Sequence, residues 1–142
     1  MNGTELRQDQ HKLVPTPEHR AVRVLVVNDY PDNVASMALL LRLYGHEVEV
    51  ALGGAAALRV AQAQQPDAVL LDICMPGLDG YQVARQLRAM FQDKRLLLVA
   101  LTALGSEEDR RRCEEAGFDL HLVKPADPLA VEHLLRELGQ SL

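Results

Sequence analysis

Four polar residues stand where apolar runs stop. Asp29 follows VLVVN, Asp72 ends VLLD, Thr102 ends LVALT and Lys124 follows HLV. A carboxylate placed at the end of a run made for a protein interior is costly to bury without a partner. Carboxylates from two such ends suit a hard divalent cation, and Mg²⁺ in particular takes one or two carboxylates and leaves its other positions to water and phosphate oxygens. An ammonium and a hydroxyl are the matching donors for phosphoryl oxygens, the first as a point charge and the second as an aimed hydrogen bond. No Ser-His pair or reactive cysteine pattern stands at these ends, so the nucleophile on offer is a carboxylate, which can form an aspartyl phosphate. Phosphoryl transfer asks chiefly for positioning and charge neutralisation. Taken singly, each residue reads equally well as a turn former; the joint arrangement is the signal.

The elements that must gather these residues follow from hydrophobic period. VRVLVV (22–27) is a short Val-rich run suited to a strand covered on both faces. Val34, Met37, Ala38 and Leu41 share a helical face that Gly45 closes, and EVEVAL (47–52) alternates like an outer strand. Ala57, Leu58 and Ala61 mark a second helix ending before Pro66, and 68–71 is a third, buried strand delivering Asp72. A third helix runs over 81–90, with Val83, Leu87 and Met90 aligned, before the strand RLLLVALT. Ser106 and Asp109 form a capping-box variant for a helix closed by Gly117. DLHLV is the fifth strand, and Asp127-Pro128 opens a last helix carrying Val131, Leu134, Leu135 and Leu138. Five strand-helix units in a row predict a parallel sheet with helices on both faces, because parallel neighbours need crossovers. In such sheets the ligand site lies beyond the carboxyl ends of the strands, where the four polar residues fall.

Composition sets the bounds. A chain of 142 residues fits one domain with a sizeable core, and 48% hydrophobic residues with only 4% aromatics point to a Leu, Val and Ala interior. The net charge of -5 argues against sequence-independent nucleic-acid binding, so no direct nucleic-acid partner is expected. No apolar run is long enough to cross a bilayer, and residues 1–20 are polar nearly throughout and read as a flexible N-terminal arm, leaving 21–142 as the domain. Cys74 and Cys113 belong to no C-x-x-C pair, which suits a reducing, cytoplasmic setting.

VLVVNDYP, VLLDICMPGLDGYQ, LVALTA and HLVKPAD resemble, in order and spacing, the strand-end motifs of the receiver domains of bacterial two-component response regulators, over about 22–138. The resemblance implies a flavodoxin-like (βα)₅ doubly wound sheet in the order 2-1-3-4-5. It implies that Asp72 accepts a phosphoryl group from a histidine kinase or phosphotransfer protein, and that the domain acts as a signalling acceptor rather than an enzyme on outside substrates. Asp29, Asp72 and the backbone carbonyl of Cys74 would bind Mg²⁺, or Mn²⁺ in its place. Thr102 would read the phosphate, Lys124 would pair with it, and the Lys124-Pro125 bond would be cis. A homodimer or effector contact is expected through the face of the fourth helix, fifth strand and fifth helix.

Two positions depart from the family pattern. Asn28 stands where a second acid is usual. Losing one unit charge about 5 Å from a divalent ion removes roughly 2 to 7 kcal/mol of gross attraction, although the amide oxygen can accept from a metal-bound water. Asn28→Asp is therefore expected to tighten Mg²⁺. His121 occupies the place of a switching aromatic and reads either as a half-exposed strand residue or, with Thr102, as a switch sensitive to pH. The charged run 107–115 reads as a solvated helix face with pairs Glu107 to Arg111 and Glu108 to Arg112. His11, His19, His46 and His133 make no metal-ligand pattern. A haloacid-dehalogenase-type phosphatase would want an acid where Cys74 stands. The nearer alternative is a degenerate receiver acting as a phosphorylation-independent interaction module.

Overall fold

The computed structural model describes residues 21–73, 79–103 and 105–140. The arm at 1–20, Cys74 and the Met75-Pro76-Gly77 turn therefore lie outside the described residues. Strands β1 (Arg23–Val27), β2 (Glu47–Ala51), β3 (Ala68–Asp72), β4 (Leu97–Thr102) and β5 (Leu120–Val123) form one parallel sheet in the order β2-β1-β3-β4-β5. Helices α1 (Pro31–Leu43), α2 (Gly54–Gln64), α3 (Gly80–Met90), α4 (Glu107–Ala116) and α5 (Pro128–Gln140) alternate with them. This is the doubly wound, flavodoxin-like arrangement that the motifs imply.

The two faces of the sheet carry two cores. Leu25, Val27, Val69, Leu71, Leu98 and Ala100 point toward α2, α3 and α4, where Ala57, Ala61, Val83 and Leu87 meet them. Val24, Val26, Leu70 and Val99 point the other way, onto Val34, Ala38 and Leu41 of α1 and Val131, Leu135 and Leu138 of α5. Strand residues alternate faces, so the central strands must be apolar at every position. β3 accordingly buries all five of its residues, Asp72 included.

Helix ends follow local chemistry. The Ser106 hydroxyl accepts from Asp109 N–H at 3.1 Å, and Asp127 accepts from Leu129 N–H at 3.0 Å. Asp79 and Gln82 form a reciprocal capping box that the sequence reading did not identify and that starts α3 at Gly80. Gly117 closes α4 at φ 106, a conformation that β-carbons resist.

Three expectations need correction. On α4 the ion pair among described residues is Glu107 with Arg110, three apart, in place of the expected pairs to Arg111 and Arg112; Arg112 instead stacks over the Tyr81 ring at 4.4 Å. Leu134 is only half buried, and Glu132 takes the buried place on α5. In β2 the alternation holds at Val48, but Val50 is exposed, as the outer edge of a sheet allows.

Candidate functional site

The carboxyl ends of β1, β3, β4 and β5 converge on one edge. Asp72 is fully buried, and its Oδ2 accepts from Lys124 Nζ at 2.6 Å. Fifty-two residues separate the two in sequence; the sheet order joins them through β4. Leu101 is the register partner of Asp72, and Ile73 N–H bonds Leu101 O at 3.2 Å. Thr102, 3% exposed, is the register partner of Val123, and its carbonyl accepts from Lys124 N–H at 2.7 Å. The backbone thus fixes the root of the lysine beside the threonine before any side chain is placed. The Lys124-Pro125 bond is cis, as the resemblance implies.

Glycine makes the approach of α3 possible. A β-carbon at Gly80 would lie 2.4 Å from Ile73 Cα, a distance that no substituted residue tolerates. The amino end of α3 therefore sits directly against the residue after Asp72, with Gly80 N–H donating to Ile73 O at 3.4 Å.

Asp29 supplies the second carboxylate. Its Oδ1 is buried without a hydrogen-bond partner. A cation bound there would compensate the desolvation of that oxygen. Asp29 Oδ1 and Asp72 fit a hard divalent ion that completes its shell with water, carbonyl and phosphate oxygens. Among the described residues no three His, Cys, Asp or Glu side chains cluster as a metal site, so a cage made only of side chains is not on offer. The Cys74 carbonyl, the expected third protein ligand, lies outside the described residues.

Asn28 is buried and lines a 490 Å³ cavity with Asn33, Ser36, Met37 and Lys124. Its Oδ1 accepts from Tyr30 N–H at 3.0 Å, a local turn the sequence reading did not foresee. His121 is half buried in β5 and lines a 290 Å³ cavity with Arg110, Cys113 and Phe118. Its register partner is Ala100, so by the two-residue period it lies on the same face of the sheet as Thr102. The sequence readings of His121, as strand residue and as switch, both remain compatible with that place.

Behind this edge, burial raises the Cys113 thiol above its usual range, and it raises the Tyr81 hydroxyl likewise, with the neighbouring Cys113 adding to the effect on Tyr81. Cys113 is thus an inert core thiol. At the opposite end of the sheet lies a buried polar cluster. His46 Nδ1 accepts from Val22 N–H at 3.1 Å, and Nε2 meets Glu132 Oε1 at 2.6 Å. No sequence motif links the α1–β2 turn to α5; the single available cue was an acid at an apolar register position of α5.

Comparison with known proteins agrees with this fold. A family model described as response regulator receiver domain matches residues 24–136. The transcriptional regulatory protein PrrA of Mycobacterium tuberculosis is 48% identical over 123 residues, which cover 84% of this chain and 52% of that protein. The chain thus spans about half the length of that relative. Among solved structures, the receiver domain of the sensor histidine kinase PA1611 from Pseudomonas aeruginosa, with a magnesium ion coordinated in its active site cleft, is similar at a TM-score of 0.73 and 34% identity, covering 84% of this chain and 98% of that one. A chain from the co-crystal of the Saccharomyces cerevisiae histidine phosphotransfer protein Ypd1 with the receiver domain of Ssk1 matches at 0.78 and 26% identity, covering 85% and 90%.

Proposed function

Because the chain belongs to the response regulator receiver domain family, we propose that Asp72 accepts a phosphoryl group from a phosphohistidine of a histidine kinase or phosphotransfer protein. The observation that carries this reading is the buried Asp72 carboxylate held by Lys124 at 2.6 Å beside the unanswered Asp29 Oδ1. A carboxylate oxygen of Asp72 attacks phosphorus; the phosphorus–nitrogen bond breaks, and the donor imidazole keeps the electron pair and takes up a proton. Asp29 and Asp72 would hold Mg²⁺, with the Cys74 carbonyl as the expected further ligand. When bound, the ion neutralises phosphoryl oxygens during transfer.

The chain's own residues do the rest. Lys124 is already paired with Asp72, so its ammonium needs only a small shift to follow the charge onto a phosphoryl oxygen. Thr102, rooted beside it, supplies a hydroxyl to the same group. Movement of Thr102 would leave space on the face shared with His121, giving a route from the acceptor to the surface of α4, β5 and α5. That surface exposes Leu120, Val123 and Leu129, apolar groups suited to a partner or second copy. Ypd1 and the Ssk1 receiver, which crystallise together, illustrate the donor class.

Acetyl phosphate with Mg²⁺ tests the reading. The protein should gain the mass of one phosphoryl group, and Asp72→Asn should abolish the gain. Absence of uptake by the parent protein under Mg²⁺ would favour an interaction module that works without phosphate.

A further inference from the structure

We propose that the free edge of β2 is a strand-addition surface for a second copy of this chain, and that Arg42 of α1 holds it shut. β2 is the outermost strand of the sheet and pairs with β1 alone. Glu47 N–H donates to Val22 O, and Ala51 O accepts from Asn28 N–H, so residues 47, 49 and 51 spend their backbone groups on β1. Val48 and Val50 therefore turn theirs outward. A row of open backbone groups is a template for another strand. Val50 and Leu52 are exposed along this edge, and so is Leu39, one turn before Arg42.

Arg42 interrupts the row. Its Nη2 donates to Val48 O at 2.7 Å. A basic residue in the last turn of a helix suits the helix dipole wherever its side chain lies. This one crosses to the strand, and among the described residues it makes no ion pair.

A second copy meets that same carbonyl in every register open to it. Two antiparallel β2 strands related by a two-fold axis must set outward residue against outward residue, so Val48 lies opposite Val48, Val50 or Leu52 of the second copy. In each case Val48 O has to accept an N–H from the added strand, and Arg42 already fills that place. The first two registers carry a further penalty. One sets Glu47 against Glu49 and the other sets Glu49 against its own counterpart, like charges directly opposite. The third is centred on Val50, sets Glu49 opposite Ala51, and draws Leu52, the residue after β2, into the added ladder. Glutamates close two registers; Arg42 closes the one that remains.

Sedimentation equilibrium of the full chain, without Mg²⁺ or phosphodonor, tests the edge apart from any effect of phosphorylation. Arg42→Ala frees one carbonyl on each copy, so self-association should begin at about thirtyfold lower protein concentration than the parent needs. Adding Val50→Pro removes an outward N–H and leaves the β1 ladder intact, so the double variant should return to the behaviour of the parent. Amide exchange at Val50 gives a reading that does not depend on the double variant: it should slow with rising concentration in Arg42→Ala and stay constant in the parent over the same range. Arg42→Ala that associates no more readily than the parent overturns the guarding role. Tighter association that leaves Val50 exchange unchanged, or that survives Val50→Pro, places the contact on another face and overturns the β2 surface.

Discussion

Replacing Glu132 or His46 tests how far the amino end of the sheet depends on one buried polar bridge. Both side chains are nearly closed to solvent, at 5% exposure for His46 and 7% for Glu132. Val22 N–H donates to His46 Nδ1, so the ring proton sits on Nε2 and is donated to Glu132 Oε1. Arg136, half exposed on the next turn of α5, closes the other oxygen of Glu132 at 2.9 Å. His46→Phe strands the N–H of the fully buried Val22 and leaves the Glu132 carboxylate with Arg136 alone. One unanswered buried donor costs about 1 to 3 kcal/mol, and the loss of the ring N–H bond to the buried Glu132 carboxylate adds on the order of 1 kcal/mol or more. The expected loss is about 2 to 4 kcal/mol, or roughly 8 to 16 °C in Tm for a domain of this size. Glu132→Leu strands only the His46 Nε2–H and gains apolar burial in return, so about 1 to 3 kcal/mol is expected. In the double variant the buried carboxylate and the ring N–H vanish together, and its loss should fall short of the sum by about 1 to 2 kcal/mol. Urea unfolding followed by circular dichroism measures all three. Additive losses, or single losses under about 0.5 kcal/mol, would refute the bridge as a coupled buried unit. Mg²⁺ affinity should not change in any of them, because the bridge and the acceptor edge lie at opposite ends of the strands.

Further outcomes follow from other contacts. Lys124→Met removes the ammonium beside Asp72 and should tighten Mg²⁺ by about tenfold while slowing phosphoryl uptake; weaker Mg²⁺ binding in a titration would count against the charge reading. Gly80→Ala forces α3 away from Ile73 and should lower stability by about 2 to 4 kcal/mol in a denaturant melt, with an unchanged midpoint contradicting the close approach. Cys113 and Tyr81 both have folded-state pKa values above their ordinary ones, so the unfolded chain ionises first as pH rises. Their contribution to stability is complete below about pH 9 and is lost at higher pH, and Cys113→Ala should flatten that alkaline decline in melts taken across pH 8 to 11. A decline of the same slope in Cys113→Ala would assign it to other groups.

Periodicity and punctuation carried most of the architecture. Each strand was visible as a short apolar run because strands covered on both faces must be apolar throughout, and each helix was visible because only one face is buried. The candidate site was legible for a related reason: Asp29, Asp72, Thr102 and Lys124 interrupt those runs at their carboxyl ends, where a parallel sheet collects its ligands. Side-chain partnerships were not legible. Arg112 chose the Tyr81 ring over Glu108, because the neighbouring helix α3 brought an aromatic face within 4.4 Å. His46 and Glu132, 86 residues apart, met only because α5 packs back over the start of β1. The sequence by itself determined the order of elements and the identity of the groups at the rim, since both are set by local pattern and by the rule of parallel crossovers. Tertiary structure alone decided which oxygen of Asp29 is left unanswered and that the His46 ring meets the buried Glu132 carboxylate, because each depends on elements distant in the chain.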